Sequence, residues 1–192
     1  MITSIVRQLR PAIAVLFVLT LITGIFYPLA VTAVAQIAFP SQANGSLVKV
    51  NGTVVGSTLI GQTFEDPRYL WGRPSAAGAG YDANASSGSN LAPTSKKLID
   101  RVTADLDRLR AANGDGPVPV DLLTTSGSGL DPSISPEGAR YQAARIAAAR
   151  GIPVTDVQAA IDRHTDHPLL GLLGPDSVNV LLVNLDLDGD LK

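Results

Sequence analysis

The sequence predicts a small α+β domain carried behind one membrane-spanning helix, on three observations. Residues 11–48 hold no charged side chain, and their apolar core, residues 12–39, exceeds the roughly 20 residues a helix needs to cross a bilayer. Beyond it, an Asn-Gly pair between β-branched flanks marks a hairpin. Two helix signatures closed by glycines then alternate with extended segments.

The apolar run must be a helix, because lipid offers no partners to backbone N–H and C=O groups. Pro28 is predicted to kink it, since it removes a donor and crowds the preceding turn. Arg7 and Arg10 precede the run, whereas the first charge after it is Lys49. The basic flank stays in the cytoplasm. Three segments follow: a cytoplasmic N-terminus at 1–10, a transmembrane anchor at 11–39 and an extracytoplasmic domain at 40–192. A cleaved signal peptide is the rival reading, with Ala33-Val34-Ala35 as its small-residue site, but the run is about twice the usual 7–15 residue apolar region.

Composition narrows the rest. Of 192 residues, those beyond the anchor suffice for a single core. There is no cysteine, so disulfides and thiolate metal sites are excluded. A net charge of −2 with dispersed bases gives no footprint for nucleic acid.

In order, residues 47–55 form a hairpin around Asn51-Gly52, whose residues accept the positive φ values of a type I′ turn. Residues 57–64 read as a further short strand. Residues 65–93 are rich in Gly, Ser, Asn and Pro, yet hold Tyr69, the only tryptophan (Trp71), Arg73 and Tyr81. Large aromatics favour an ordered, packed loop over a tether. Thr94 reads as the N-cap of a helix to Ala112 with Leu98, Ile99, Val102, Leu106 and Leu109 on one face, closed by Asn113-Gly114. Pro117 and Pro119 make residues 117–124 an extended edge segment. Ser135-Pro136-Glu137 opens a helix that Gly151 stops after Arg150. Thr155-Asp156-Val157-Gln158 resembles a capping box opening a helix to His164. Residues 178–187 read as a strand buried on both faces.

Candidate chemistry is thin. The loop Ser126-Gly127-Ser128-Gly129-Leu130-Asp131-Pro132 lacks the lysine and the immediate helix of a phosphate loop, and the flanking glycines of a nucleophile elbow. It reads as a turn whose Ser and Asp side chains bond nearby backbone. Asp162, His164, Asp166 and His167 have spacing a metal could use, but sequence places no third ligand group, and a solvated helix end explains them. No metal site is expected. Asp186, Asp188 and Asp190 imitate the opening of a calcium loop, which requires a glycine at its sixth position and a glutamate at its twelfth. The sequence ends at Lys192, so they read as an acidic tail. Three Asn-X-Ser/Thr triplets, at Asn44, Asn51 and Asn84, matter only in a eukaryotic secretory route.

Several motifs recur together: Gly61-Gln62-Thr63-Phe64, Tyr69-Leu70-Trp71-Gly72-Arg73-Pro74-Ser75-Ala76, Ser87-Gly88-Ser89-Asn90-Leu91, the 126–132 loop, Ile134-Ser135-Pro136, Tyr141-Gln142, Arg145, Arg150, Val178-Asn179-Val180 and Asn184-Leu185. In this order, and with Leu9-Arg10-Pro11-Ala12 and Phe39-Pro40-Ser41-Gln42 flanking the anchor, the chain resembles the C subunit of the bacterial Kdp-type potassium-transporting ATPase over nearly its whole length. Leu70 stands where that family commonly has Phe, and Ser133 where His is common.

The resemblance implies a non-catalytic accessory subunit of an ATP-driven potassium uptake pump in the bacterial plasma membrane. The sequence lacks the Asp-Lys-Thr-Gly-Thr segment that such pumps phosphorylate, so no catalytic residue is expected. Implied partners are the ATP-hydrolysing, potassium-channel-like and small single-helix subunits, with membrane lipid around the anchor. Gly24, a small residue that lets helices approach closely, and Gln62, Trp71, Arg73, Ser75, Ser89 and Asn90 are the candidate partner contacts. Ser126, Gly127, Ser128, Gly129 and Gln142 form a possible nucleotide or partner loop. The family is also described as raising the ATP affinity of the catalytic subunit, which makes ATP a possible ligand by resemblance and a catalytic-chaperone role the alternative. An anchored serine hydrolase using Ser126 or Ser128 is the competing class.

Overall fold

A computed structural model describes residues 2–168, 171 and 174–191, with the side chains of residues 2–6 left aside. Met1 and Lys192, the ends of the predicted cytoplasmic and exported segments, lie outside the described residues. The chain divides into two compact units, residues 1–46 and 47–192.

The described part of the first unit is mostly helical. Helix α1 (Ile2–Leu21) passes through a π-turn (Ile22–Phe26) into α2 (Tyr27–Ala38), followed by the short α3 (Pro40–Ala43). The 32-residue stretch Arg7–Ala38 is apolar and long enough to cross a membrane, and none of it is buried within the chain. The π-turn is the form the expected Pro28 irregularity takes. Proline has no N–H to give the preceding turn, and its ring crowds the carbonyl four residues back. Widening the helix just before it relieves both, with the Tyr27 N–H reaching the Ile22 carbonyl instead. Gln36 and Asn44 pair side chain to side chain at 3.0 and 3.3 Å.

The second unit opens with the hairpin, β1 (Leu47–Val50) and β2 (Thr53–Ser57), antiparallel around Asn51 (φ 50°) and Gly52 (φ 81°). Both central residues have positive φ, as a type I′ turn requires. The strand expected at 57–64 is replaced by a turn. Ile60 makes only a bridge to Ser57, and the chain then leaves to bond elsewhere, with the Gly61 N–H donating to the Leu130 carbonyl at 2.8 Å. Residues 61–95 contain no further helix or strand.

Helix α4 (Lys96–Asn113) starts two residues after the expected Thr94 cap, with Ser95 at its N-cap and Gly114 closing it. Only Leu109 of its apolar stripe is fully buried. Leu98, Val102 and Leu106 are half-buried and Ile99 is exposed. Past Pro119 the expected extended segment instead tightens into a 3-10 turn (Val120–Leu122), which buries Leu122 and leaves Val120 exposed. Helix α5 (Pro136–Arg150) follows the predicted signals: Ser135 Oγ accepts from the Gly138 N–H, and Gly151 (φ 67°) ends it. Helix α6 (Val154–Arg163) starts before the supposed capping box. Thr155 therefore lies inside the helix, and Pro153 takes the cap.

The largest difference concerns residues 178–187. Strand β5 (Ser177–Asn179) is short, and helix α7 (Val180–Asp188) follows at once. A run that is apolar all round suits a fully buried helix as well as a buried strand, and the cap decides. Asn179 Oδ1 accepts from the Leu182 N–H at 3.1 Å and starts the helix, and Gly189 (φ 77°) stops it. Strand β5 is the centre of an antiparallel sheet of order β3-β5-β4, flanked by β3 (Ser133–Ile134) and β4 (Thr165–Asp166). The core gathers Leu70 and Trp71 of the loop with Leu109, Leu122, Ile146, Val157, Ile161, Val178 and Val183. The unit is α+β, as predicted.

Two of the three tail aspartates are paired. Asp186 meets Arg163 (2.8 Å) and His164 (3.1 Å), while Asp188 meets Arg150 (2.9 Å) and accepts from the Tyr69 hydroxyl (3.0 Å). The supposed metal-like cluster is likewise divided: Asp162 pairs with Arg140 and His167 with Asp176.

Candidate functional site

The two Gly/Ser-rich loops meet along a seam. Ser75 Oγ donates to the Gly129 carbonyl at 2.6 Å and accepts from the Ala77 and Tyr81 N–H groups. The Ser87 N–H and Ser86 Oγ both donate to the Ser128 carbonyl. Gly129 is required at this crossing. Its φ is 69°, and a Cβ there would stand 2.5 Å from the Ser87 carbonyl oxygen and 2.7 Å from the Ala77 nitrogen.

Arg73 is the rivet of the seam. Its guanidinium pairs with Asp131 at 3.0 Å and donates to the Thr124 and Thr125 carbonyls at 3.3 and 3.4 Å. The Tyr81 hydroxyl donates to the Arg73 carbonyl at 2.6 Å. Burial, with Asp131 nearby, pushes the Tyr81 hydroxyl up to about 12, so it stays protonated as that donor.

Behind the seam, the extended segment through Leu70 and Trp71 is held by two buried side-chain amides. Asn184 on α7 accepts from the Leu70 N–H at 2.7 Å and donates to the Leu70 carbonyl at 3.0 Å. Gln142 on α5 does the same for Trp71, at 3.0 and 3.1 Å. Successive residues of an extended chain point their backbone groups to opposite sides, so each amide occupies the place a neighbouring strand would take. Buried backbone needs such partners. Arg145 and Arg150 then collect the carbonyls just upstream: Arg145 donates to Tyr69 and Arg150 to Arg68.

Trp71, 8% exposed, donates its indole N–H to the Asp66 carbonyl at 3.0 Å. Arg145 lies 3.8 Å and Arg108 5.0 Å from its ring centre, a doubly cationic contact on one indole. Burial first, and then the charge of Arg108, pull the Arg145 guanidinium down to about 10. On the outer side lies an open cleft of about 560 Å³, lined by Phe64, Glu65, Trp71, Arg73, Tyr81 and Arg108 among others.

The predicted residues therefore divide into groups. Trp71, Arg73, Ser75, Ser126, Gly127, Ser128 and Gly129 come together at the two loops, and Gln142 backs them from the core. Gln62 packs beside Gly56 of the hairpin. Ser89 and Asn90 lie beyond the contact of Gly88 with the Gly127 carbonyl, Asn90 with φ 49°. Gly24 belongs to the π-turn of the first unit, where a Cβ would meet only Thr20 at 3.9 Å.

The 126–132 loop is the self-bonded turn the sequence indicates. Ser126 Oγ accepts from the Gly129 N–H, Ser128 Oγ from Leu130 and Asp131 Oδ1 from Ser133. The N–H groups of Gly129, Leu130 and Ser133 are thus taken within the loop. Among the described residues neither serine is hydrogen-bonded to a histidine or a carboxylate, and activating a serine nucleophile requires such a base. Gln142 is fully buried, with both ends of its amide occupied.

Asn184 and Arg108 received no role from the sequence, and Asp131 only that of a local turn acceptor. For Asn184 a signal existed: an amide within an otherwise apolar run must find partners when buried. For the pairing of Arg73 with Asp131, 58 residues apart, none did.

Residues 9–189 match the family model described as K+-transporting ATPase, c chain (KdpC). The potassium-transporting ATPase KdpC subunit of Sorangium cellulosum (strain So ce56) is 59% identical over 185 residues, covering 95% of this chain and 97% of that one. The corresponding subunit of Caulobacter sp. (strain K31) is 60% identical over 182 residues, 94% of this chain and 93% of its own. That of Bradyrhizobium diazoefficiens is 52% identical over 194 residues, 95% and 96% of the two chains.

Proposed function

This chain belongs to the family of the c chain of the K+-transporting ATPase, and from that membership we propose that it is a non-catalytic subunit supporting assembly and coupling of a potassium pump. One observation carries the reading: the polar residues of both loops are bonded to one another and to the domain's own backbone. Ser75, Ser126, Ser128, Arg73 and Gln142 hold a long loop in shape. Such an arrangement suits a rigid surface offered to other subunits better than a reaction. The partners of this proposal are the ATP-hydrolysing, channel-like and small single-helix subunits, with Gly24 at a helix contact in the membrane. The open space over Gly24 favours close helix approach.

Affinity purification through a tag on this chain tests the proposal. The other pump subunits and potassium-stimulated ATPase activity are expected to co-purify, and Gly24→Leu is expected to reduce their recovery several-fold. Full recovery with a poly-Leu anchor of the same flanks would remove the anchor from the interface. A tagged chain that purifies alone would refute the whole reading.

Orientation is the second part of the proposal. Arg7 and Arg10 before the anchor, against a far flank uncharged until Lys49, support a cytoplasmic N-terminus with residues from Lys49 onward outside. A cysteine introduced at the exposed Ser86 is expected to react with a membrane-impermeant thiol reagent in intact cells. Labelling only after lysis would reverse the orientation and bring the domain to the side where ATP is found.

A further inference from the structure

We propose that the cleft between Arg108 and the Trp71–Tyr81 loop receives an acidic side chain from another subunit of the pump. The inference rests on the subunit reading above and adds the chemistry of one contact.

The walls set the requirement. Phe64, Trp71 and Tyr81 supply an aromatic floor, and Arg73 and Arg108 bring positive charge, against the single rim carboxylate of Glu65. Arg73 is already matched by Asp131. Arg108 has only a long ion pair, to a carboxylate it shares with Arg101. Its side chain is 52% exposed, and its nearest carboxylate oxygen, on Asp105, stands 3.8 Å away. That carboxylate is bonded to Arg101 at 2.8 Å. Among the described residues the Arg108 guanidinium donates no hydrogen bond, so its forked donors face the cleft unused. Arg145 adds a second guanidinium on the same indole, hydrogen-bonded to an asparagine, a glutamine and backbone carbonyls rather than to a carboxylate. A guanidinium that donates no hydrogen bond and is stacked on an aromatic face is suited to paired bonds with a carboxylate. The opening of about 560 Å³ admits a short segment of chain as well as a single side chain.

The test is zero-length coupling in the assembled complex. Arg108→Lys places a primary amine at the cleft, and a water-soluble carbodiimide joins an amine to a touching carboxylate as an amide, the reagent leaving as its urea. Arg110→Lys, two residues on and exposed on another side of α4, is the control. The expected result is a covalent adduct of Arg108→Lys with another pump subunit, absent from the unsubstituted and Arg110→Lys complexes. Mass spectrometry should then find the bond on an aspartate or glutamate of that subunit. Arg108→Glu should lower recovery of the partner subunits about tenfold at low salt, while the melting temperature of the chain itself is retained.

A complex that assembles normally but yields no such adduct, or only an intrachain bond to Asp105 or Glu65, overturns the inference. So does an equal adduct from Arg110→Lys, or undiminished recovery with Arg108→Glu. These results differ from failure of the subunit reading, in which the unsubstituted chain recovers no pump subunit and the inference falls with it.

Discussion

Trp71→Ala is expected to destabilise the second unit by about 3–5 kcal/mol, the range for removing a buried large aromatic from a core. The indole packs with Leu70 in the main apolar cluster and bonds Asp66 through its N–H. It also carries the stacked guanidinium of Arg145, whose other donors hold the Tyr69 carbonyl and Gln142. Its loss leaves a cavity and frees a cation that binds the loop. For a unit of this size the corresponding fall in melting temperature is roughly 10 °C. Thermal unfolding of the full chain in detergent, followed by circular dichroism, measures it. Arg73→Ala should cost less, because the Arg73–Asp131 pair is 23% and 33% exposed and water screens part of its attraction. Equal falls for the two variants would show that the seam, rather than the indole, governs the loop's stability.

Asn184→Ala is expected to be comparably severe for a different reason. It removes no large apolar surface, but strands the Leu70 N–H and C=O in the core without partners. Two buried unpaired backbone groups, at roughly 1–3 kcal/mol each, give a loss of about 2–6 kcal/mol. Hydrogen exchange at the Leu70 amide separates this from general loosening. In the unsubstituted chain that amide should be among the slowest to exchange in the loop, and in Asn184→Ala it should exchange far faster while the amides within α6 keep their protection. An unchanged Leu70 rate would mean that water or another group replaces the lost amide.

These two residues also mark where the sequence was legible. The anchor, the hairpin and α5 depend on neighbours a few residues apart: a charge-free run, two adjacent positive-φ residues, a serine three residues before the N–H it caps. Such signals are complete within a short window, and where they fall the structure has a long apolar helix, a positive-φ turn at Asn51-Gly52 and a serine-capped α5. The ordered state of residues 65–93 was also readable, because Trp71 and the tyrosines cannot remain in water without loss.

Helix α7 was not readable. An apolar run with a single amide satisfies the pattern of a buried strand and of a buried helix equally, and only the capping bond of Asn179 and the packing around Val183 choose between them. Nor could the sequence show what replaces a sheet beside the loop. Asn184 reaches Leu70 across 114 residues and Gln142 reaches Trp71 across 71. By itself the sequence determined which segments carry their own local instructions, together with the family to which they belong. Which buried amide answers which backbone group, and which arginine is left with open donors, was decided only once the chain had closed on itself. Hydrogen-bond satisfaction in a core is a property of the assembled surroundings and not of any stretch of residues.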